Sequence, residues 1–175
     1  GLSFYQHKEI KDIIAYFRLV VNPDDEEAFR RIINYPTRGI GDTTIQKVVI
    51  AAQQHGVSLW EIVCKPIEYG LDVNRGAINK LLQFKTLIQQ FMDERLSKDA
   101  YTLAKEKNKK AGIERDLAAD KGPEGDSRRE NVDSLMSGIA EFVQAQQEDD
   151  DAEHTRLTDY LSTVSLMTDM DNDDG

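Results

Sequence analysis

The chain has 175 residues and a formal net charge of −10, but the charge is uneven: residues 1–110 carry 17 Lys and Arg against 14 Asp and Glu, net +3, and residues 111–175 carry 5 against 18, net −13. The length suffices for one domain with a real core, and the acidic total does not exclude nucleic acid, because counterion release needs only a local basic patch. Cys64 is the sole cysteine, which excludes an internal disulfide and fits a reducing compartment; no apolar run reaches a membrane span, none has a signal-peptide pattern, and the opening at Gly1-Leu2-Ser3-Phe4, without Met, reads as a piece of a longer protein.

Ser3 and Gln6 stand at capping-box spacing. Ile10, Ile13, Ile14, Phe17, Leu19, Val20 and Val21 then recur near the helical period. They predict a helix over residues 5–21, with Lys8, Glu9, Lys11 and Asp12 on its polar side. Asn22-Pro23 stops it. Asp24 or Asp25 caps the next helix, which turns Phe29, Ile32 and Ile33 inward and Glu26, Glu27, Arg30 and Arg31 to solvent.

The stretch Pro36-Thr37-Arg38-Gly39-Ile40-Gly41-Asp42-Thr43-Thr44 separates two amphipathic segments, residues 28–35 and 44–55. Gly-x-Gly permits positive φ and presents no Cβ to an approaching group. Ile40 can anchor the turn in the core, and Asp42 or Thr43 can cap the helix that follows. The first amides of that helix then point outward, where they suit a phosphate oxygen. Arg38 adds a positive charge beside the turn, and Lys47 lies one turn inside the helix. The functional expectation is a clamp on one strand of a DNA duplex backbone, without base reading. The same residues also read as a plain helix-to-helix connection with glycines as turn punctuation.

Ile45, Val48, Val49 and Ala52 form an apolar stripe that ends at His55-Gly56. Ser58 and Glu61 make a second capping box, and Pro66 ends the short helix carrying Leu59, Trp60, Ile62 and Val63. Trp60 is read as core rather than as a base-stacking platform, and Cys64 as a small buried hydrophobe rather than a nucleophile. Helices are predicted over 74–96 and 99–110. The second ends in Lys105, Lys107, Lys109 and Lys110, which either meet phosphates or complement the helix dipole. Gly112-Ile113-Glu114 is a weaker echo of the first turn. Residues 121–126 read as a flexible polar loop, followed by a helix opening at Arg128 with Val132, Leu135, Met136, Ile139, Phe142 and Val143 inward. Residues 148–151 are a run of like charge, read as a disordered or solvating linker. Leu157, Tyr160, Leu161 and Val164 mark a last short helix, and residues 169–175 read as unfolded.

No segment has strand period. The expected fold is all-α, a compact multi-helix domain with a helix-hairpin-helix-like Gly-Ile-Gly element and a flexible acidic C-terminal part. Residues 1–147 form the helical subdomain, 148–154 an acidic linker, and 155–175 a short helix and tail.

Two segments carry a family resemblance. The first is Gly1-Leu2-Ser3-Phe4-Tyr5 with Lys8-Glu9-Ile10-Lys11-Asp12, Ala15-Tyr16-Phe17-Arg18-Leu19 and Asn22-Pro23-Asp24-Asp25. The second is Phe29-Arg30-Arg31-Ile32-Ile33-Asn34 running into Pro36-Thr37-Arg38-Gly39-Ile40-Gly41. In this order and spacing the chain resembles accessory subdomain 2B of the UvrD/PcrA/Rep family of superfamily-one DNA helicases. Arg128-Arg129-Glu130-Asn131-Val132 is similar to a segment late in that insertion, and Leu161 to Met167 to its return towards the motor domain. Gln6-His7 departs from the Glu-Arg frequent in the family.

The resemblance implies a parent that is an ATP-dependent 3′-to-5′ DNA helicase using ATP and magnesium. Such a parent is cytoplasmic, of bacterial type and nucleoid-associated. It further implies duplex contacts at Thr37, Arg38, Gly39, Ile40, Gly41 and Thr43 or Thr44. Hinges to the motor domains are implied near Gly1 to Phe4 and Ser165 to Asp169. The sequence itself lacks Gly-x-x-x-x-Gly-Lys-Ser/Thr, and no nucleophile-base pair, metal cluster or cofactor loop stands out. This piece is therefore expected to hold no cofactor and to catalyse nothing alone. The rival expectation is a protein-interaction or autoinhibitory module.

Overall fold

Apolar residues at helical spacing place most of the chain in helices packed about the first long one. The computed structural model describes residues 3–174, in which the helices are α1 (Lys8–Val21), α2 (Glu26–Ile32), α3 (Asp42–His55), α4 (Leu59–Cys64), α5 (Arg75–Glu94), α6 (Ala100–Lys110), α7 (Ile113–Ala119), α8 (Pro123–Glu148) and α9 (Leu157–Asp174). Short 3-10 turns occupy Phe4–Gln6 and Ala152–His154, and no strand occurs among the described residues. The fold is all-α, as the missing strand period predicts.

Side-chain caps set four helix starts. Asp25 accepts from Ala28 N at 3.0 Å, Ser58 from Glu61 N at 3.1 Å, and Asn74 and Asp99 from Ala77 N and Thr102 N at 2.8 Å each. Each satisfies an amide that the helix cannot. At the far end of α3, Gly56 adopts φ +62 and closes the helix in the left-handed conformation.

Helix α1 packs against α2, α5, α8 and α9. Ile10, Ile13, Tyr16, Phe17 and Leu19 are fully buried on it, and Glu9 and Asp12, against expectation, are buried as well. A carboxylate taken from water needs compensating partners, and neighbouring segments supply them. Lys8 Nζ and Arg31 Nε each lie 2.8 Å from Asp12, and Asn131 Nδ2 donates to Glu9 at 2.8 Å. Arg31 is therefore bound to a buried acid and is not simply part of a solvated face.

The C-terminal part is more ordered than its composition suggests. Helix α8 opens at Pro123 with Gly122 as N-cap, so the predicted loop 121–126 is its first turn; proline's fixed φ suits that position. Gly125 is buried there, and a Cβ on it would stand 2.1 Å from Asp120 O. Arg129 Nη1 fastens the same corner by donating to Leu117 O at 2.6 Å and Asp120 O at 2.7 Å.

Helix α8 continues to Glu148, and the acidic run leads into a hydrogen-bonded turn rather than a disordered linker. Gln146 Nε2 donates to Asp151 at 3.3 Å and to His154 O at 3.2 Å. Buried Thr155 accepts from Ala100 N at 2.7 Å, tying the turn to α6. Helix α9 then runs to Asp174, longer than predicted, with Tyr160 set between the rings of Phe17 and Phe142. Of the segment read as unfolded, Gly175 lies outside the described residues.

Candidate nucleic-acid interface

Helix α2 ends at Ile32, and the chain turns back into α3 over residues 33–41. Asn34 organises this turn, its Oδ1 accepting from Arg38 N at 3.0 Å and Ile40 N at 3.1 Å. Ile40 is 1% exposed and pins the turn to the core. Gly39 and Gly41 stay on the surface on either side of it. Their roles differ. Gly39 has φ +79, a conformation that favours glycine, whereas Gly41 has φ −85 and ordinary extended backbone. A Cβ at Gly41 would meet nothing within 4 Å, so what Gly41 contributes is an open face.

Gly41 is itself the N-cap of α3. Asp42 and Thr43, expected as caps, lie in the first helical turn instead. Thr37 and Thr43 are exposed and Thr44 is half-buried. The N–H groups of Gly41, Asp42, Thr43 and Thr44 find no acceptor among the described residues. Helix starts leave these donors to solvent or ligand.

The basic residues are arranged differently from the sequence reading. Arg38 does not stand free beside the turn. Its Nη1 donates to Ile32 O at 2.5 Å and Ile33 O at 2.9 Å, and its Nη2 to the Tyr16 hydroxyl at 2.5 Å. Its guanidinium lies 5.1 Å from the centre of the Phe84 ring. Tyr16 in turn donates to Tyr35 O, and burial pushes its hydroxyl pKa up although Arg38 opposes this. Arg38 thus ties the end of α2 to α1 and α5. Lys47 is half-buried and lies 3.7 Å from exposed Asp72.

The cation that does lie on the turn is Lys80 of α5, which sequence reasoning missed. Its Nζ donates to Gly39 O at 3.3 Å. The two residues are 41 positions apart, and no local pattern links them.

The lysine cluster of α6 is divided. Lys105, Lys109 and Lys110 are exposed, but Lys107 is 2% exposed, over the rings of Phe17 at 4.4 Å and Tyr16 at 5.2 Å. Its Nζ has no hydrogen-bond partner, and burial holds its pKa well below the usual lysine value. The echo turn at Gly112 adopts φ +88, buries Ile113, and stands against Pro36, whose Cγ would lie 3.9 Å from a Cβ on Gly112.

Trp60 is core, edge-on to Phe84 at 6.4 Å, and burial raises the Cys64 thiol pKa. Among the described residues, Asp151, Glu153 and His154 bring ligand-type atoms within 4.8 Å of one another, on the surface. The His154–Asp151 hydrogen bond accounts for two of them and raises the imidazole pKa. Of the two expected hinges, Gly1 and Leu2 lie outside the described residues, and Ser165 to Asp169 lie within α9. Tyr5 Oη donates to Met167 Sδ at 3.6 Å, which brings the two positions together.

Residues 1–174 match the family model described as UvrD-like helicase C-terminal domain. The chain is 34% identical over 171 residues to the ATP-dependent DNA helicase PcrA of Bacillus subtilis (strain 168), covering 98% of this chain and 22% of that protein. It is 31% identical over 172 residues to the PcrA helicase of Leuconostoc citreum, covering 98% and 23%, and 31% identical over 174 residues to that of Staphylococcus aureus (strain Mu50 / ATCC 700699), covering 99% and 23%. It therefore spans less than a quarter of the length of these relatives. No helix among the described residues is long and apolar enough to cross a membrane. From its first residue to its last helix, the chain belongs to the UvrD-like helicase C-terminal domain family.

Proposed function

We propose that this chain is accessory subdomain 2B of an ATP-dependent 3′-to-5′ DNA helicase, and that its turn over residues 39–44 holds the backbone of duplex DNA ahead of the motor. One observation carries the reading. Four amides without acceptors, at Gly41, Asp42, Thr43 and Thr44, sit beside two surface glycines on a turn that buried Ile40 holds rigid. Donors so arranged fit phosphate oxygens and ignore base identity. Thr37 and Thr43 are exposed in the same stretch and can offer hydroxyls to phosphate. Arg38 acts from beneath as a positioning residue, and Lys47 contributes a charge shared with Asp72.

With few phosphate contacts, the isolated chain binds weakly and loses affinity as salt rises. In the parent, tethering to the motor raises the effective concentration. The motor domains supply ATP and magnesium chemistry, and this chain's own residues bind and orient DNA. The parent works in the bacterial cytoplasm on the nucleoid.

The test is fluorescence anisotropy of a labelled duplex hairpin against wild-type chain and Gly41→Val at low salt. A Cβ at Gly41 meets nothing within 4 Å, so the fold persists at the modest cost of a poorer N-cap, and the side chain blocks the approach to the amides. The expected result is about a tenfold loss of affinity or more, roughly 1.4 kcal/mol, with the unfolding transition still cooperative and its midpoint lowered only slightly by the poorer N-cap. Equal affinity contradicts the clamp and favours the protein-interaction reading of this module.

A further inference from the structure

The cation missing from the turn once Arg38 is turned inward is supplied from a distant helix. Lys80 is exposed on α5, and its Nζ reaches Gly39 O at 3.3 Å. A Cβ on Gly39 would lie 2.9 Å from that nitrogen, so the bare glycine is also what lets the lysine cross the turn. Lys80 has no carboxylate partner among the described residues, as is also true of several other exposed lysines, and what sets it apart is its bond to the turn.

The electrostatics of the turn make this placement informative. The N-terminus of α3 carries a partial positive charge from its aligned peptide dipoles, and an ammonium held on the turn leading into it adds a like charge. Asp42, the one acidic residue in that first turn, offsets only part of the excess. An anion bound at the turn relieves this crowding of like charge, because amides and ammonium would then face one negative group. An ammonium has three donors, and Gly39 O uses one.

We infer that Lys80 is a phosphate-binding residue of this interface, flanking the turn over residues 39–44 from the α5 side and filling the role the sequence gives to Arg38. The inference rests on the duplex-clamp reading and names a further residue of that same site. The ligand is a phosphodiester of duplex DNA.

The experiment is anisotropy of a labelled duplex hairpin with the chain across a salt titration, for wild type, Lys80→Ala, Lys80→Arg, Gly41→Val and Lys121→Ala. Lys121 is exposed in the segment between α7 and α8, so its loss changes net charge equally. Lys80→Ala is expected to weaken binding about three- to tenfold at low salt. It is also expected to lower the slope of log affinity against log salt by about 0.9, the value of one phosphate contact. Lys80→Arg is expected to retain most of the affinity, and Lys121→Ala nearly all of it. Unfolding midpoints should agree across the lysine variants. If Lys80→Ala binds like wild type while Gly41→Val fails, the lysine assignment is overturned and the clamp stands. Equal losses in Lys80→Ala and Lys121→Ala also overturn it, as a general charge effect. No duplex binding by the wild type at low salt overturns the clamp, and Lys80 with it.

Discussion

Arg38 donates to two carbonyls at the end of α2 and to the Tyr16 hydroxyl while resting on Phe84. Its removal would leave Ile33 O without a donor and take one from Ile32 O, which still accepts from Tyr35 N. Arg38→Ala is expected to cost about 2–4 kcal/mol in urea unfolding, the scale of losing buried charge-assisted bonds. Arg38→Lys should recover only part of this, since an ammonium cannot reproduce the planar fork. An unchanged midpoint in Arg38→Ala would contradict the positioning role. The sequence showed where Arg38 falls in the turn but not which way it points. A usable signal was there, for a basic side chain just past a helix end often bonds the last carbonyls. Lys80 had no such signal, because only tertiary packing brings it to Gly39.

Lys107 sits against Phe17 and Tyr16 with an unpartnered amine. Desolvation depresses its folded-state pKa, with Asp12 opposing. The unfolded chain therefore binds the proton more tightly, and stability rises with pH from the depressed value up to the ordinary lysine range. Lys107→Met is expected to stabilise the fold at neutral pH, by about 1–4 kcal/mol if the replacement packs as well as apolar replacements of buried charged groups do. The gain should shrink as pH climbs towards that range. Denaturant midpoints across pH check this, and a Lys107→Met chain less stable than wild type at neutral pH would contradict it. The sequence placed Lys107 in a surface cluster because lysine at a helix end normally is on the surface. It gave no hint that α6 turns this position onto α1.

Among the elements, helix existence was legible from apolar spacing except at α7, where residues 112–114 read only as an echo of the first turn. Asp25 and Ser58 cap as expected, and Asn74 and Asp99 prove to be caps at the two predicted helix starts. The corner between α7 and α8 was not legible. Glycine, proline and acidic residues made 121–126 look like a loop, although Pro123 is equally a helix-start signal. The corner depends on a contact that only the fold reveals, the approach of Asp120 O to Gly125. Gly125→Ala is expected to destabilise by about 1–3 kcal/mol through overpacking, measured by thermal or urea unfolding. A neutral effect would mean the corner relaxes freely. The two turn glycines behave differently again. Gly39 needs its left-handed backbone, whereas Gly41 has room for a side chain. This is why Gly41→Val separates binding from folding.

For the whole molecule, the all-α class followed from the absence of strand period, and the family from the N-terminal motifs. The buried acids of α1 were the main misreading. Glu9 and Asp12 look like solvent-facing charges in a single helix, and only the approach of α2 and α8 makes them internal. The division into a mildly basic first part and a strongly acidic remainder persists in the fold, but the acidic part is largely helical rather than a loose tail. The candidate interface was therefore legible as backbone and illegible as charge. Its glycines, Ile40 and helix start were readable in order, whereas its cation came from elsewhere. The central claim is that the amides at the start of α3 meet a DNA backbone. Two-dimensional amide NMR of the full chain, titrated with a short duplex hairpin at low salt, tests it most directly. The largest shifts are expected at the Gly39, Gly41, Asp42, Thr43 and Thr44 amides, saturating together. Shifts confined to other helices, with these five amides unmoved, would contradict it.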